Sequence, residues 1–186
     1  MKLYLIRHFQ TRDNLAGRLQ GRQDTVILPP GEDQAADIAA NAAVLKAAAP
    51  FDHVLVSQLR RTHQTAEVYG FTGMVDPLLD ELDFGPWQGR PKSEMIETLP
   101  AWFTHPGDLV LGEPLVQLEG RVRAFASKYA HAQRVLAFGH GAWSRAMVAW
   151  HRHGSIQTMN QTHITNNAII TLEFQAPAGS AHKETP

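Results

Sequence analysis

The chain has no cysteine, no long apolar run and no large excess of charge of either sign. Without cysteine it can form no disulfide, thiolate nucleophile or cysteine-ligated metal site. No apolar stretch approaches the roughly 18 residues typical of a membrane-spanning helix. The formal net charge is −1 and Lys and Arg form no extended run, which disfavours nucleic acid or an anionic membrane as the main partner.

The composition is that of an ordinary globular protein, with 44% hydrophobic and 19% charged residues. The 186 residues suit one domain with a substantial core. We expect that domain to occupy residues 1–174, and residues 175–186, which lack an apolar pattern, to form a C-terminal tail. The apolar run near the N-terminus is too short for a signal-peptide core, so we expect a cytoplasmic location.

Short apolar segments with strand character alternate with helical patterns along the chain. The predicted helices cover residues 31–48, 60–69, 115–129 and 143–153, and the apolar residues of 115–129 follow a 3-4-3-4 spacing. This alternation predicts an α/β fold, a three-layer α/β/α sandwich with a mainly parallel central sheet. The proline-rich segment 85–112 is expected to be an irregular insertion or lid. The predicted strands are Lys2–Arg7, His53–Ser57, Arg134–Gly139 and Ala168–Phe174.

Basic and imidazole side chains follow three of these strands. Arg7 and His8 end the first, Arg60-Arg61 follows the second, and His140, between two glycines, ends the third. Because the carboxyl ends of parallel strands share one edge of a sheet, these side chains should converge there. Arginine matches phosphate oxygens and an imidazole can attack phosphorus. Arg7 and His8 could be the first solvated residues of a loop, but the convergence favours a phosphate pocket with an imidazole nucleophile.

Six sequence blocks, in order between residues 2 and 172, resemble those of the histidine phosphatase (phosphoglycerate mutase-like) superfamily. Residues 7–14 read Arg-His-Phe-Gln-Thr-Arg-Asp-Asn and resemble the Arg-His-Gly-x-Thr-x-x-Asn signature. Residues 57–66 resemble the Ser-Pro-Leu-x-Arg-Ala-x-Gln-Thr-Ala block, and residues 81–89 the Glu-x-x-x-Gly-x-Trp-Glu-Gly block. The remaining blocks are residues 17–35, 138–141 and 167–169.

The resemblance implies a metal-independent histidine phosphatase that works through a phosphohistidine, with no cofactor. By position, His8 would attack phosphorus, while Arg7, Arg61 and His140 would bind the phosphoryl oxygens. Glu81 would protonate the leaving alkoxide and later take a proton from water. Because His8 can attack only when neutral, we expect its second ring nitrogen to donate to a backbone carbonyl. The implied substrate-binding residues are Thr11, Asn14, Gln20, Gly21, Lys92 and Gly141.

Three of these assignments have a competitor. Arg60 competes with Arg61 for the phosphate, although the spacing from the start of the block favours Arg61. Asp83 competes with Glu81 for the acid–base role, and the block spacing favours Glu81. Thr11 could cap a helix instead of binding a ligand.

The superfamily divides into mutases and phosphatases. Mutases retain a bisphosphorylated ligand with a lysine, matched here by Lys92, and with an adjacent arginine pair in the insertion. Residues 93–120 contain no Arg or Lys, so we expect no second anion site and therefore a phosphomonoesterase acting on a small phosphorylated metabolite, partly apolar or cyclic. The alternatives are a bisphosphoglycerate-dependent phosphoglycerate mutase and an inactive module that binds a phospho-ligand or a protein.

Phe9 stands where the signature has glycine. Its ring is expected to narrow the mouth of the pocket or to offer a stacking surface for a ringed substrate. The expected partner is a small-molecule phosphate ester, with no nucleic acid and no membrane, and the protein is expected to be a monomer or a homodimer.

Overall fold

A five-stranded sheet organises the computed structural model, which describes residues 1–175. The order across the sheet is β3-β2-β4-β1-β5, and β5 runs antiparallel to β1 while the other neighbours are parallel. The prediction of a mainly parallel sheet is confirmed. The predicted tail, residues 175–186, lies almost wholly outside the described residues. The strands are β1 (Lys2–Arg7), β2 (His53–Val56), β3 (Met74–Val75), β4 (Arg134–Gly139) and β5 (Ile169–Glu173).

Seven α-helices lie in the described part of the chain, and four of them, α2, α3, α6 and α7, correspond to the predicted helices. None of the helices within residues 1–175 is long and apolar enough to cross a membrane. The helices are α1 (Arg12–Leu15), α2 (Ala35–Ala48), α3 (Arg60–Val68), α4 (Lys92–Thr98), α5 (Ala101–Thr104), α6 (Leu115–Lys128) and α7 (Gly141–His153).

The segment 85–112 is more regular than its prolines indicate, because it contains α4 and α5. Pro91 and Pro100 stand at the N-caps of these two helices. The missing N–H of proline removes no intrahelical hydrogen bond at a helix start, so the prolines mark where the helices begin and do not interrupt them.

The side chains of β1 alternate between two cores. Leu3 and Leu5 belong to a core that includes buried residues of α6 and α7. Tyr4 and Ile6 belong to a second core that includes buried residues of α2 and α3. Because successive strand residues point to opposite faces, the sheet is covered by helices on both sides, giving three layers.

The ends of β1, β2 and β4 meet at one edge of the sheet. In the strand register Arg7 lies opposite Gly139, and Val56 lies opposite Phe138. The antiparallel β5 begins at the same edge, where the Asn167 N–H donates to the carbonyl of Arg7 at 3.0 Å. This edge therefore gathers the residues that follow three parallel strands, as the sequence predicts.

Candidate active site

One cavity at this edge brings together nine of the eleven residues predicted for the site. The other two, Thr11 and His140, are fully buried and do not line it. The nine are Arg7, His8, Asn14, Gln20, Gly21, Arg61, Glu81, Lys92 and Gly141.

His8 follows β1 and is only 2% exposed. Its Nδ1 lies 2.6 Å from the carbonyl oxygen of Phe9, the kind of bond that the sequence predicts. Since a carbonyl can only accept, Nδ1 carries the proton and Nε2 keeps its lone pair. Burial, and then the charges of Arg61 and Arg7, hold the pKa of His8 well below 6.5. His8 is therefore neutral at pH 7, the form that can attack phosphorus.

His140 lies behind His8, with 5.3 Å between the ring centroids. Arg61 Nε donates to His140 Nδ1 at 3.2 Å, so the ring proton is on Nε2, which donates to Ser57 Oγ at 2.7 Å. Burial, and then the charge of Arg61, lowers the pKa of His140 well below 6.5. With both nitrogens bonded, His140 orients Arg61, and a direct bond to a phosphoryl oxygen would require its bond to Ser57 to break.

Two arginines supply fixed positive charge to the cavity. Arg61 Nη1 and Nη2 donate to the carbonyls of Gln23 and Gly21 at 2.7 and 2.8 Å. Burial lowers the pKa of Arg61 to about 10, so it remains a cation at pH 7. Arg7 Nη1 donates to the carbonyl of Ile164 at 2.5 Å, and its buried Nε–H has no partner among the described residues. A phosphoryl oxygen would satisfy this donor, which otherwise costs about 1–3 kcal/mol to bury.

The N-terminus of α7 packs against these groups. A Cβ atom placed on Gly141 would lie 3.2 Å from Arg7 Nε, so glycine lets the guanidinium lie close to the helix. The Glu81 carboxylate accepts the N–H groups of Ala142 and Trp143 at 3.0 Å each. These two bonds hold the carboxylate at the wall of the cavity.

The structure separates the competing residues left open by the sequence. Arg61 and Glu81 line the cavity. Arg60 is exposed, and its Nε lies 2.7 Å from Asp24 Oδ2. Asp83 uses one carboxylate oxygen to accept a backbone N–H at the base of the insertion. Arg61 and Glu81, the two residues that the block spacing favours, are therefore the ones that face the cavity.

Two side chains near the signature are placed away from the ligand. Thr11 is the N-cap of α1, where its hydroxyl and the Asn14 side chain form a capping box. Phe9 is fully buried and stacks on Tyr69 with 6.0 Å between the ring centroids. Because side chains alternate along extended backbone, His8 faces the cavity and Phe9 faces the core. The expectation that Phe9 narrows the pocket or stacks on a substrate is therefore wrong.

The cavity contains two cations that were not predicted from the sequence as site residues, Arg18 and Arg145. Arg145, on α7, lines it together with Lys92. Arg145 Nε donates to Asn160 Oδ1 at 3.3 Å, and Asn160 Nδ2 donates to the carbonyl of Trp102 at 2.8 Å. A second cationic group is thus present, although the insertion lacks the arginine pair. The available signal was the four-residue spacing from Gly141, which puts Arg145 on the same face of α7.

The comparisons with known proteins agree with this geometry. A family model described as the histidine phosphatase superfamily (branch 1) matches residues 3–183. The chain belongs to this superfamily. In the part of this histidine phosphatase that the structure describes, residues 1–175, no group of three or more His, Asp and Glu side chains is placed so that it could hold a metal ion.

Relatives and solved structures of this superfamily cover most of the chain. A protein of Enterobacter sp. (strain 638), named a probable phosphoglycerate mutase, GpmB, is 31% identical over 94% of this chain and 86% of its own. A protein of Hydrogenobacter thermophilus, named "Putative phosphoserine phosphatase 2", is 29% identical over 94% of this chain and 90% of its own. The structure of open reading frame Rv3214 from Mycobacterium tuberculosis has a TM-score of 0.79 at 27% identity, covering 94% of this chain and 91% of that chain.

Proposed function

We propose that this protein is a metal-independent phosphomonoesterase that hydrolyses a small phosphorylated metabolite through a phosphohistidine. The observation that carries the proposal is the hydrogen bond made by the ring of His8. Its Nδ1 donates to the carbonyl of Phe9, which leaves a neutral ring with an unprotonated Nε2 in the cavity. Arg7 and Arg61 line the same cavity and supply charge for phosphoryl oxygens.

In the first step His8 Nε2 attacks phosphorus, forming an N–P bond as the P–O bond to the alcohol breaks. Arg7 and Arg61 stabilise the charge that develops on the phosphoryl oxygens. Glu81 acts as the general acid that protonates the departing alkoxide. In the second step water attacks phosphorus, Glu81 takes the water proton and the N–P bond breaks. Phosphate leaves, and His8 is neutral again.

Further residues of the cavity would complete substrate binding. Asn14, Gln20 and Gly21 line it beside the arginines, and Thr11 acts through Asn14, which it holds in the capping box. A cytoplasmic location, and a small phosphate ester rather than nucleic acid or membrane as the partner, stay predictions from composition, as does the monomeric or homodimeric state.

A phosphoglycerate mutase is the second candidate. Two observations favour it: Lys92 and Arg145 add positive charge to the cavity, and the Enterobacter relative is named a probable phosphoglycerate mutase. Hydrolysis is favoured because residues 93–120 contain no Arg or Lys, so the arginine pair that the resemblance leads us to expect in mutases is missing, and the insertion contributes the apolar Trp102 to the cavity. A non-catalytic phosphate-binding module is disfavoured, since such a module gains nothing from the Glu81 carboxylate beside a bound anion.

The decisive experiment uses p-nitrophenyl phosphate with and without EDTA. We expect turnover that is unaffected by the chelator. His8→Ala should lower kcat by at least about 1,000-fold and abolish acid-labile phosphate labelling, because the nucleophile is gone. His131→Ala, which removes an exposed histidine, should behave as wild type. Labelling retained in His8→Ala would refute the phosphohistidine at this position. Wild-type inactivity across a broad panel of phosphate esters would instead support the binding module.

A second assay separates hydrolysis from phosphoryl transfer. The protein is mixed with 3-phosphoglycerate and a trace of the 2,3-bisphosphate. We expect release of inorganic phosphate. Rapid formation of 2-phosphoglycerate without phosphate release would show that the protein is a mutase.

A further inference from the structure

The cavity holds more positive charge than one phosphoryl group requires. Among the described residues, Glu81 is the one carboxylate that lines it. Arg7 and Arg61 flank His8 and are assigned to the phosphoryl group, so the remaining cations have no role in the reaction described above. The cationic side chains that line the cavity are Arg7, Arg18, Arg61, Lys92 and Arg145.

Arg145 is held in one orientation by its neighbours. Its Nε donates to Asn160 Oδ1, and the Asn160 amide is fixed in turn by the carbonyl of Trp102. Its terminal nitrogens make no hydrogen bond to any residue within 1–175. Burial lowers the pKa of Arg145 to about 10, so the guanidinium is charged at pH 7. An oriented guanidinium with unused N–H groups matches the two oxygens of a carboxylate.

Lys92 lies at the start of α4 and borders the same cavity. Neither Lys92 nor Arg145 forms an ion pair with a described residue. Although Lys92 is exposed as a whole, partial desolvation of its ammonium group, and then the positive charges of Arg145 and Arg7, lower its pKa. Several positive charges held close together, with Glu81 as the one carboxylate beside them, disfavour the empty site, and a bound anion would relieve their repulsion.

We propose that the substrate is a small phosphate ester that also carries a carboxylate, and that Arg145 with Lys92 binds this second acidic group. The inference rests on the proposed function in placing the phosphoryl group at His8. It makes Arg145 a specificity-determining residue: α7 supplies the guanidinium of this second site, and the insertion supplies Lys92. This substrate class is more specific than the small, partly apolar or cyclic metabolite expected from the sequence.

Two matched phosphate esters test the proposal. O-Phosphoserine and O-phosphoethanolamine differ by a single carboxylate. We expect the wild-type protein to prefer phosphoserine by roughly 10- to 100-fold in kcat/KM, as a charge-assisted hydrogen bond would give. Arg145→Gln should abolish the preference, because it should raise KM for phosphoserine far more than KM for phosphoethanolamine. Arg145→Lys should retain part of the preference, since it keeps the charge and loses the planar fork.

The control is Arg152→Gln, which removes an exposed arginine from the same helix and should keep the full preference. A preference that survives Arg145→Gln, or that is absent in the wild type, would overturn the inference. The two esters of 1,3-propanediol, with one or two phosphates, form a further arm. If the Arg145-dependent gain is larger for the bisphosphate than for phosphoserine, the second group is a phosphate and the carboxylate assignment fails.

Calorimetry on the His8→Ala protein separates this inference from the proposed hydrolysis. Turnover is blocked in that background, so binding of each ester is measured directly. Tighter binding of phosphoserine that disappears in the His8→Ala/Arg145→Gln protein supports the carboxylate site even if the wild type hydrolyses neither ester. Equal binding of both esters to His8→Ala contradicts the site even if the wild type is an active phosphatase.

Discussion

At the scale of single residues, burial decides the protonation of the site. His8 and His140 are both held neutral, and the positive charge needed for a phosphate comes from Arg7 and Arg61. The histidines are neutral and the arginines charged for a physical reason: a buried guanidinium stays protonated at pH 7, whereas a buried imidazole does not. The nucleophile can therefore keep its lone pair beside permanent cations.

The lowered histidine pKa values predict how stability depends on pH. Below pH 6.5 the unfolded chain protonates its histidines, while His8 and His140 stay neutral in the folded protein, so unfolding takes up protons. The free energy of unfolding should therefore fall as pH drops from 7.5 to 5.5, by up to about 1.4 kcal/mol for each histidine.

Urea unfolding at the two pH values measures this loss. In His8→Ala the loss between pH 7.5 and 5.5 should be smaller than in wild type by that amount, because one neutral buried histidine is gone. His131→Ala, at an exposed position, should show the wild-type loss. The same loss in His8→Ala as in wild type would contradict the assigned protonation state.

Ser57 is the second residue whose change has a defined consequence. It accepts the Nε2–H of His140, and Ser57→Ala would leave that N–H buried without a partner. We expect a loss of about 1–3 kcal/mol in the free energy of unfolding. Because His140 orients Arg61, kcat/KM for p-nitrophenyl phosphate should also fall.

The matched change is Ser127→Ala, at an exposed position of α6, which should lower neither quantity, because alanine favours the helix more than serine does. Urea unfolding and steady-state kinetics are measured on both variants. Ser57→Ala with reduced stability and unchanged kinetics would show that the His140–Ser57 bond supports the fold without affecting Arg61.

At the scale of elements, the sequence predicted best the strands and helices whose buried residues follow a hydrophobic pattern within the element itself. The apolar run of β1 is buried, and α6 buries Leu118, Val122 and Phe125 at the predicted spacing. β3 was not predicted from the sequence, because its two residues are exposed and belong to the sheet only through their pairing with β2. A strand of two exposed residues has no hydrophobic pattern in the sequence, since it is a strand only because it pairs with its neighbour.

Prediction of the site residues from the sequence was limited in the same way. The residues that follow β1 and β4 were found because strand ends in a parallel sheet have one possible edge. Arg145 was missed because its direction depends on the rotation of α7, which is set by burial of Trp143 and Met147 in the core shared with α6. Phe9 was assigned to the pocket from its place in the signature, although its backbone turns the ring inwards.

The contact between the two ends of the insertion, segment 85–112, gives a prediction at the scale of elements. The two ends of segment 85–112 touch, and a Cβ atom on Gly112 would lie 2.5 Å from the backbone nitrogen of Gly85. Gly112→Ala should therefore force the ends apart, at a cost of about 1–3 kcal/mol in the free energy of unfolding. Since the insertion carries Lys92 and Trp102, kcat/KM should fall as well.

Gly120→Ala is the matched control, because a Cβ atom there meets nothing within 4 Å and the position is inside α6. It should leave activity unchanged and raise stability by about 0.5–1 kcal/mol through higher helix propensity. Urea unfolding and p-nitrophenyl phosphate kinetics distinguish the two variants. Equal stability of the Gly112→Ala and wild-type proteins would show that the insertion can open without cost.

At the scale of the whole molecule, the first and last strands of residues 1–175 pair with each other. The Phe174 N–H donates to the carbonyl of Met1 at 2.8 Å, and the Met1 amino group donates to the carbonyl of Phe174 at 3.1 Å. β5 pairs with β1 from Lys2↔Glu173 to Ile6↔Ile169. The strand that leads to His8 is therefore supported by residues from the far end of the chain.

This arrangement predicts where the chain can be shortened. A protein ending at Gln175 keeps every strand pair of the sheet, so it should unfold in one urea transition at the wild-type midpoint and retain activity on p-nitrophenyl phosphate. A protein ending at Ala168 lacks β5, leaves β1 as an edge strand and exposes the buried core around Leu172. It should be inactive and unfold at lower urea, since β1 positions Arg7. A lowered midpoint for the protein ending at Gln175 would show that residues 176–186 belong to the folded unit, against the expected boundary at residue 174.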